Sequence, residues 1–364
     1  MTEVHHTRLA ALCAELADVD AVFVSSPLNV AYLSGTLMEP HERIMGLALG
    51  PEVEPTLVVP ALDAETARSN PAGFRTIAWE DARGPSDALR SALGRPKRLA
   101  IEKDHITVRG AELLTELVTP EEVLDASSWL SELRARKSDD EVGRIEQAAQ
   151  IVDLALAALA EWLRPGITEV EVALELDRTA RRLGSQGNPF ETIVLGGPNA
   201  ALPHGRPTER ALRRGDLVIV DIGARRDGYC ADITRTFAIG EPDHDARRAY
   251  DTVRAAQAAG RAALKPGNTC ASVDHAAREV IESAGHGEFF IHRTGHGLGL
   301  EAHEAPALVA GNQAPLRKGE VVTVEPGIYL PGKLGVRIED DLVITDDGAR
   351  SLTHSPRELT VHDG

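Results

Sequence analysis

Two predicted β-hairpins that carry paired acidic residues on apolar strands constrain the fold of this 364-residue chain more than any other feature. In the first hairpin, Asp221 follows Leu-Val-Ile-Val in the stretch 217–224, and Asp232 lies in the stretch 229–239. The Asp227-Gly228 pair between them is typical of a tight hairpin turn. Because this turn lies near the midpoint of the two aspartates, symmetric pairing predicts that they face each other, with Cβ atoms roughly 4.5–5.5 Å apart.

The second hairpin repeats this arrangement about a hundred residues later. Glu325 follows Val-Val-Thr-Val, Glu339 follows Val-Arg-Ile, and their midpoint is Gly332 of the turn Pro331-Gly332. A slip of one residue turns a side chain to the opposite face, so a single facing pair could be coincidence, whereas two pairs are harder to dismiss. The alternative is that both hairpins are exposed and carry ordinary surface acids, but their apolar neighbours make it the weaker interpretation.

Four clustered carboxylates need compensating charge. Burying even one unpaired charge costs several kcal/mol, so we expect two divalent cations between the hairpins. Two-metal hydrolytic sites hold their ions roughly 3.5–4 Å apart, which suits the predicted spacing. Oxygen-rich donors without sulfur favour Mn²⁺, Mg²⁺ or Co²⁺ over a structural zinc. Mn²⁺ is the ion that we expect, with Co²⁺ or Zn²⁺ as alternatives.

A histidine is the natural fifth ligand, and the sequence offers several. His296 and His303 lie seven residues apart in the glycine-rich stretch RTGHGLGLEAHE, where glycine lets the backbone approach a metal closely. His292 precedes His296 by four residues, and His204 lies in a loop between two prolines. Spacing alone does not decide between His296 and His303.

The chain is long enough for two domains, and its pattern changes near residues 127–137. We expect an N-terminal α/β domain at 1–127, a linker at 128–137 and an α+β catalytic domain at 138–364. In the first domain we predict strands at 20–26, 44–50, 56–60 and 98–102 and helices at 7–17, 63–69, 84–93 and 108–117. In the second we predict helices at 139–163, 168–183, 244–264 and 271–284 and strands at 192–197, 217–224, 229–239, 321–329 and 336–345. Thr168 and Glu171 predict a capping box.

The composition narrows the kinds of binding partner and the cellular compartment that we expect for this chain. The net charge of −17 without a basic stripe argues against nucleic acid. No apolar run is long enough to cross a membrane, and the N-terminal residues lack the apolar core of a signal peptide. Cys13, Cys230 and Cys270 form no CxxC pair. We therefore expect a cytoplasmic protein with reduced thiols.

Five motifs in order, DIGA, ADITRTF, RTGHGLG, VEPGIY and VRIEDD, resemble those of the "pita-bread" metallopeptidases. That family contains Xaa-Pro dipeptidases (prolidases), Xaa-Pro aminopeptidases and, more distantly, methionine aminopeptidases. NVAYLSG (29–35) is similar to the creatinase-like N-terminal domain, and LRARKSDDEVGRIEQAAQIVD (133–153) to the linking helix. The resemblance covers essentially the whole chain and implies a pita-bread catalytic domain preceded by a smaller creatinase-like α/β domain.

The resemblance assigns the site residues individually. It implies metal binding by Asp221, Asp232, His296, Glu325 and Glu339, with Asp232 and Glu339 bridging two ions. It further implies that Glu325 is a catalytic proton shuttle, that His303 and His204 contact the substrate and its developing oxyanion, and that His292 and Arg337 line the substrate pocket.

The implied activity is hydrolysis of the Xaa-Pro bond in small proline-containing peptides, by attack of a metal-bridging hydroxide. The compact N-terminal domain favours a dipeptidase, and an Xaa-Pro aminopeptidase acting on longer peptides is the alternative. Methionine aminopeptidases lack the N-terminal domain, creatinases lack the full metal set, and binding proteins of this fold normally lose ligands. The family also implies a homodimer.

Overall fold

The computed structural model describes residues 3–16, 18–39, 41–159 and 161–363. Its contacts divide the chain into two compact units, Met1–Leu133 and Arg134–Gly364. The division falls within the segment 128–137 that the sequence predicts as a linker, most of which is helical. Within the described ranges, no helix is both long enough and apolar enough to cross a bilayer.

The first unit is a mixed sheet flanked by helices. Its strands are β1 (Ala21–Val24), β2 (Gly46–Gly50), β3 (Val53–Pro60), β4 (Arg75–Trp79), β5 (Arg98–Ile101) and β6 (Glu122–Asp125), in the order β4-β3-β2-β1-β5-β6. Its helices are α1 (Glu3–Ala14), α2 (Pro27–Ser34), α3 (Ala64–Arg68), α4 (Ser86–Leu93), α5 (Val108–Val118) and α6 (Ser127–Ala135), the last of which runs into the second unit. Phe23 and Leu99 of the sheet pack with Leu89 and Leu114 of the helices, which builds one apolar core.

Helix α2 was not predicted from the sequence, although its ends carry recognisable signals. Ser26 caps the helix by accepting from the backbone N–H of Asn29, Pro27 occupies the first turn, and Gly35 ends it in the left-handed conformation. Strands β4 and β6 were also missed. Residues 17 and 160, which fall in two predicted helices, lie outside the described residues.

A buried carboxylate closes the start of α2. Glu102 follows β5, is 2% exposed, and accepts through Oε2 from the backbone N–H groups of Ser25 and Ser26. Its Oε1 accepts from Nδ2 of Asn29 at 2.5 Å. This side chain therefore satisfies the backbone N–H groups of the two residues that precede the helix and binds the side chain of Asn29 in its first turn.

The second unit combines four long helices with mostly antiparallel sheets. The helices are α7 (Asp139–Leu159), α8 (Glu169–Arg182), α9 (His244–Ala263) and α10 (Cys270–Ser283). The strands are β7 (Ile193–Gly196), β8 (Leu217–Arg226), β9 (Tyr229–Ile239), β10 (Gly295–Gly297), β11 (Glu304–Leu308), β12 (Val321–Val324), β13 (Gly327–Leu330), β14 (Leu334–Arg337), β15 (Asp340–Ile344), β16 (Ala349–Ser351) and β17 (Val361–His362). The predicted capping box of Thr168 and Glu171 is confirmed.

The strands form three sheets, ordered β17-β9-β8-β7, β11-β10-β12-β15-β16 and β13-β14. The predicted strands 321–329 and 336–345 are each interrupted, at residues 325–326 and 338–339. Pro326 has no N–H group to donate, which prevents continuous pairing at this point. The backbone N–H of Glu325 donates instead to Thr294, and that of Glu339 to Thr234.

Candidate metal centre

The five predicted metal ligands come from different strands of the second unit. Asp221 lies on β8, Asp232 on β9 and His296 on β10, while Glu325 directly follows β12 and Glu339 directly precedes β15. Four of them are buried, and the side chain of Glu325 is 15% exposed. These elements bring together residues that are more than a hundred positions apart in the sequence.

The predicted pairing of Asp221 with Asp232 is wrong by two residues. Asp221 pairs with Thr234, and Asp232 pairs with Gly223. The reason is the turn, which requires positive φ at both central residues; Asp227 (φ 47°) and Gly228 (φ 84°) satisfy this requirement. An offset of two keeps both aspartates on the same face of the sheet, so they are diagonal neighbours rather than a directly opposed pair.

The predicted register of the second acidic pair is confirmed. Val324 pairs with Asp340 on one side, and Gly327 pairs with Arg337 on the other. Both pairings belong to the same register, which places Glu325 opposite Glu339. The two glutamates therefore lie in the gap between two aligned ladders, where their backbone groups do not pair with each other.

Ligand atoms from both hairpins converge around one imidazole. One ligand atom each from Asp232, His296 and Glu339 lies within 4.8 Å of the other two. His296 Nε2 is 3.3 Å from Oε1 of Glu325 and 4.0 Å from Oδ2 of Asp232. Of the two histidines that spacing left open, His296 is thus the one buried among the carboxylates.

Three of these carboxylates have a buried oxygen with no hydrogen-bond partner among the described residues: Oδ1 of Asp221, Oδ1 of Asp232 and Oε1 of Glu339. An unpartnered buried carboxylate oxygen is costly, and a bound cation is one way to compensate for it. The donor set of four carboxylates and one imidazole fits divalent ions that prefer oxygen and nitrogen ligands.

The pKa values of these carboxylates also indicate that the site lacks compensating positive charge. Burial raises the pKa of Asp232 well above its usual value, and the charges of Glu339 and Asp221 raise it further. Burial and the nearby carboxylates likewise raise the pKa of Glu339. Glu325 differs, because its hydrogen bond with His296 and the surrounding cations outweigh burial and lower its pKa to about 2.

Asp221 is held by an arginine. Arg337 is 3% exposed and donates from Nη2 to Oδ2 of Asp221 at 2.6 Å. Its Nη1 donates to the hydroxyl of Tyr329 at 2.8 Å, and that hydroxyl is 2.9 Å from Nε2 of His292. Two predicted pocket residues, His292 and Arg337, therefore belong to one hydrogen-bonded chain that ends on a predicted ligand.

The remaining predicted residues lie towards solvent. His303 is exposed, and its ring centroid is 4.2 Å from that of His296. Its ring is nevertheless partly desolvated by its neighbours, and this desolvation, with the charges of His296 and Arg293, lowers the pKa of His303 to about 4. His204 is exposed in the loop after residues 197–201, and its charge contributes to the lowered pKa of both His292 and His303.

Sequence reasoning missed two supporting residues. Asp341 is fully buried, and its Oδ2 accepts from the backbone N–H of Asp232 at 2.9 Å. Thr234 is also fully buried and donates from Oγ1 to Oε2 of Glu339 at 2.6 Å. Thr234 could have been found, because it lies two residues after Asp232 and so on the same strand face.

A two-unit chain in which buried acids and one histidine gather on or next to inner strands of two sheets has the architecture of a metal-dependent hydrolase. Comparison with known sequences gives the family: the metallopeptidase family M24 profile matches residues 143–346, and the creatinase/prolidase N-terminal domain profile matches residues 6–136. The chain belongs to metallopeptidase family M24. The predicted fold class, a pita-bread catalytic domain after a smaller creatinase-like α/β domain, is confirmed.

Individual relatives cover nearly the whole chain. A Bacillus subtilis protein named "Putative dipeptidase YkvY" is 40% identical over 94% of this chain and 95% of its own length. The structure of an Xaa-Pro dipeptidase from Bacillus anthracis is similar at a TM-score of 0.92, with 33% identity over 98% of this chain and 99% of that one. The structure of an X-Pro aminopeptidase from Thermotoga maritima has a TM-score of 0.86, with 32% identity over 96% and 99% of the two chains.

Proposed function

We propose that this metallopeptidase hydrolyses the Xaa-Pro bond of dipeptides, as a prolidase with a dinuclear metal centre. The observation that carries the proposal is the convergence of Asp232, His296 and Glu339 around a shared position, with carboxylate oxygens that lack partners among the residues described. The similarity to a solved Xaa-Pro dipeptidase over nearly the full length supports the substrate class.

Asp221, Asp232, His296, Glu325 and Glu339 would together hold two divalent ions, with Mn²⁺ preferred and Co²⁺ or Zn²⁺ as alternatives. Bound there, the ions would supply a water of lowered pKa and Lewis-acid polarisation of the scissile carbonyl. Asp232 and Glu339 would both be ligands, and the positive charge of the ions would offset the repulsion that Glu339 exerts on Asp232.

Side chains at the site would transfer the proton and stabilise the negative charge that develops on the carbonyl oxygen. Glu325 would accept the proton of the attacking water and pass it to the leaving nitrogen. His303 and His204 would donate hydrogen bonds to the carbonyl oxygen as negative charge develops on it. The exposure of both histidines leaves them accessible to a peptide.

The substrate imposes its own requirements. The bond before proline is a tertiary amide with no N–H, so a site that recognises it must use the shape of the ring and the charged ends of the peptide. His292 and Arg337 would line this pocket, with Arg337 directed to the carboxylate of the substrate. The ion pair of Arg337 with Asp221 would have to rearrange or be shared for this contact.

Xaa-Pro aminopeptidase activity is the alternative, and the similarity to the Thermotoga maritima structure supports it. The two activities differ in whether residues follow the proline. Hydrolysis of Ala-Pro and of Ala-Pro-Ala by the Mn²⁺-loaded protein would separate them. We expect the dipeptide to be the better substrate, and hydrolysis of the tripeptide alone would contradict the proposal.

The assignment of the site is tested by Glu339→Gln, which keeps the shape of the side chain and removes its charge. We expect loss of stoichiometric metal binding together with loss of Ala-Pro hydrolysis. The matched control is Glu279→Gln on the exposed side of α10, which should leave both unchanged. Full metal-dependent activity in Glu339→Gln would refute the assignment.

Assembly and location form a further part of the proposal. The family resemblance supports a homodimer, which light scattering at several concentrations would test. The three cysteines are unpaired, with Cys13 exposed and Cys230 and Cys270 buried, as expected for a cytoplasmic protein. Fractionation of cells that express the native chain would test the location.

A further inference from the structure

A buried glutamate joins the two ends of the loop that carries His204. Glu169 is the first residue of α8 and is fully buried. Its Oε1 accepts from the backbone N–H of Gly196 at 2.7 Å and from Nδ2 of Asn199 at 3.1 Å. Its Oε2 accepts from the backbone N–H of Thr208 at 3.0 Å and from the hydroxyl of the same residue at 2.7 Å. One carboxylate therefore binds both ends of this loop.

The backbone at the start of α8 holds the second end of the loop as well. The N–H of Val170 donates to the carbonyl of Thr208, and the N–H of Glu169 donates to the carbonyl of Arg210, both at 3.2 Å. Such N–H groups of a first helical turn have no partner within the helix, so the loop satisfies them. A negative charge is also favoured at the N-terminal end of a helix. These contacts compensate for the burial of a charged side chain.

Between its two ends the loop folds into consecutive turns. The N–H of Leu202 donates to the carbonyl of Asn199, and the N–H of Gly205 donates to the carbonyl of Leu202, both at 3.0 Å. His204 is the third residue of the second turn. Pro203 precedes it and restricts the backbone at the second position of that turn. The position of the imidazole therefore depends on where Asn199 is held.

The other side of the loop contacts the candidate metal centre. Nη1 of Arg337 donates to the carbonyl of Pro203, the residue before His204, at 3.3 Å. Desolvation is the main cause of the lowered pKa values of His292 and His303, and the charge of His204 contributes to both. Hydrogen bonds on two sides of the loop thus hold an exposed histidine next to the site.

We propose that Glu169 is a positioning residue for His204 in the peptidase reaction. The inference rests on the proposed function, in which His204 donates a hydrogen bond to the carbonyl oxygen of the peptide. Glu169 acts only through the loop, since its carboxylate oxygens are occupied by the donors of Gly196, Asn199 and Thr208. A displacement of about 1 Å at a reacting group can cost about 100-fold in rate.

Hydrogen exchange tests the structural half of the proposal without any assay of activity. In Glu169→Gln the new NH₂ group cannot accept from the backbone N–H of Thr208. We expect amide exchange in residues 197–208, followed by mass spectrometry of the Mn²⁺-loaded protein, to become about tenfold faster. The matched control is Glu171→Gln on the same helix, whose carboxylate binds Thr168, and it should leave this exchange unchanged. Unchanged exchange in Glu169→Gln would overturn the proposal.

A double-mutant cycle on Ala-Pro hydrolysis tests the link to His204. We expect Glu169→Gln to lower kcat about tenfold or more with a smaller change in KM, because the charge that His204 meets develops only in the transition state. In a His204→Ala background the same substitution should lower kcat little further, since the side chain that it positions is gone. An equal fold loss in both backgrounds is the result of a merely structural role and would refute the positioning role.

A milder pair of variants serves if Glu169→Gln does not fold. Thr208→Val removes one donor to Glu169 and keeps the shape of the side chain, whereas Thr208→Ser keeps the hydroxyl. We expect Thr208→Val to lower kcat in the parent but not in His204→Ala, and Thr208→Ser to restore it. Equal kcat in the valine and serine variants would contradict the proposal. If the parent protein does not hydrolyse Ala-Pro, the proposed function fails, while the exchange result still decides whether Glu169 holds the loop.

Discussion

Thr234 donates its hydroxyl to Glu339, and Arg337 donates from Nε to the same hydroxyl at 3.1 Å. One buried threonine thus links a proposed metal ligand to the arginine that holds Asp221. Its two hydrogen bonds fix the direction in which the carboxylate of Glu339 points.

Thr234→Val, which keeps the shape and removes the hydroxyl, should therefore weaken metal binding. Partners that orient a ligand are typically worth about 10- to 100-fold in metal affinity. The measurement is a calorimetric Mn²⁺ titration, with circular dichroism to verify folding. Thr252→Val is the matched control, because the hydroxyl of Thr252 donates to the backbone oxygen of Arg248 in its own helix. Unchanged affinity in Thr234→Val would show that Glu339 needs no such support.

Metal affinity should fall as the pH is lowered. Burial and nearby carboxylates raise the pKa values of Asp232 and Glu339, so these groups bind protons at a higher pH than ordinary carboxylates do. Each ion must displace those protons, and binding should release them into the buffer. Titration with Mn²⁺ in two buffers of different ionisation enthalpy measures the number released. A result of zero would contradict the raised pKa values.

Glu304 should stabilise the fold in a pH-dependent way. Its side chain is 5% exposed and lies between Arg134 and Lys137, with Nζ of the lysine at 3.0 Å. These cations outweigh burial and lower the pKa of Glu304 in the folded protein. Since the unfolded value is about 4.3, the stabilisation is complete above that pH and is lost as the pH falls through the folded value.

Glu304→Gln should accordingly lower the free energy of unfolding by about 3–5 kcal/mol at pH 7, because it removes the buried carboxylate charge that Arg134 and Lys137 share. Urea unfolding at pH 7 and at acidic pH should show the difference between the variant and the parent protein shrinking in acid. Glu301→Gln is the control, because its side chain is 50% exposed and an exposed pair contributes about 0–1 kcal/mol. A difference that stays constant with pH would contradict the assignment.

Gly335 should not tolerate a side chain. A Cβ atom there would lie 1.8 Å from the backbone oxygen of Ala200, so β14 would have to move away from residues 197–201. We expect Gly335→Ala to destabilise the protein by about 1–3 kcal/mol or more, as overpacking does. Gly348→Ala meets nothing within 4 Å and should be nearly neutral. Thermal unfolding of both variants is the measurement, and equal midpoints would disprove the clash.

The sequence was sufficient to predict the acidic hairpins, because apolar strands around a carboxylate are a local signal. It also located the ends of α8 closely, where the capping box of Thr168 and Glu171 gives a local cue. The midpoint between Asp221 and Asp232 was not enough to predict the register of β8 with β9. That register depends on the φ angles of Asp227 and Gly228 in the turn. Turn chemistry, rather than symmetry, sets the pairing.

Long-range contacts were beyond local reasoning. The hydrogen bond between Asp232 and Asp341 spans 109 positions, and no spacing rule connects the two residues. Pro326 is a local sign that the strand is interrupted at Glu325. The position of Glu325 opposite Glu339, however, depends on pairing with the partner strand. The ion pair of Arg337 with Asp221, across 116 positions, likewise appears only once β14 lies against β8.

The carboxylate of Glu102 has a consequence for the N-terminal unit. In many α/β folds the first turn after a parallel strand leaves helix N–H groups available to a phosphorylated cofactor. Here that place is already taken by an anion of the chain itself, held by Ser25, Ser26 and Asn29. An external anion that approached this helix end would therefore have to displace a carboxylate that the chain itself supplies.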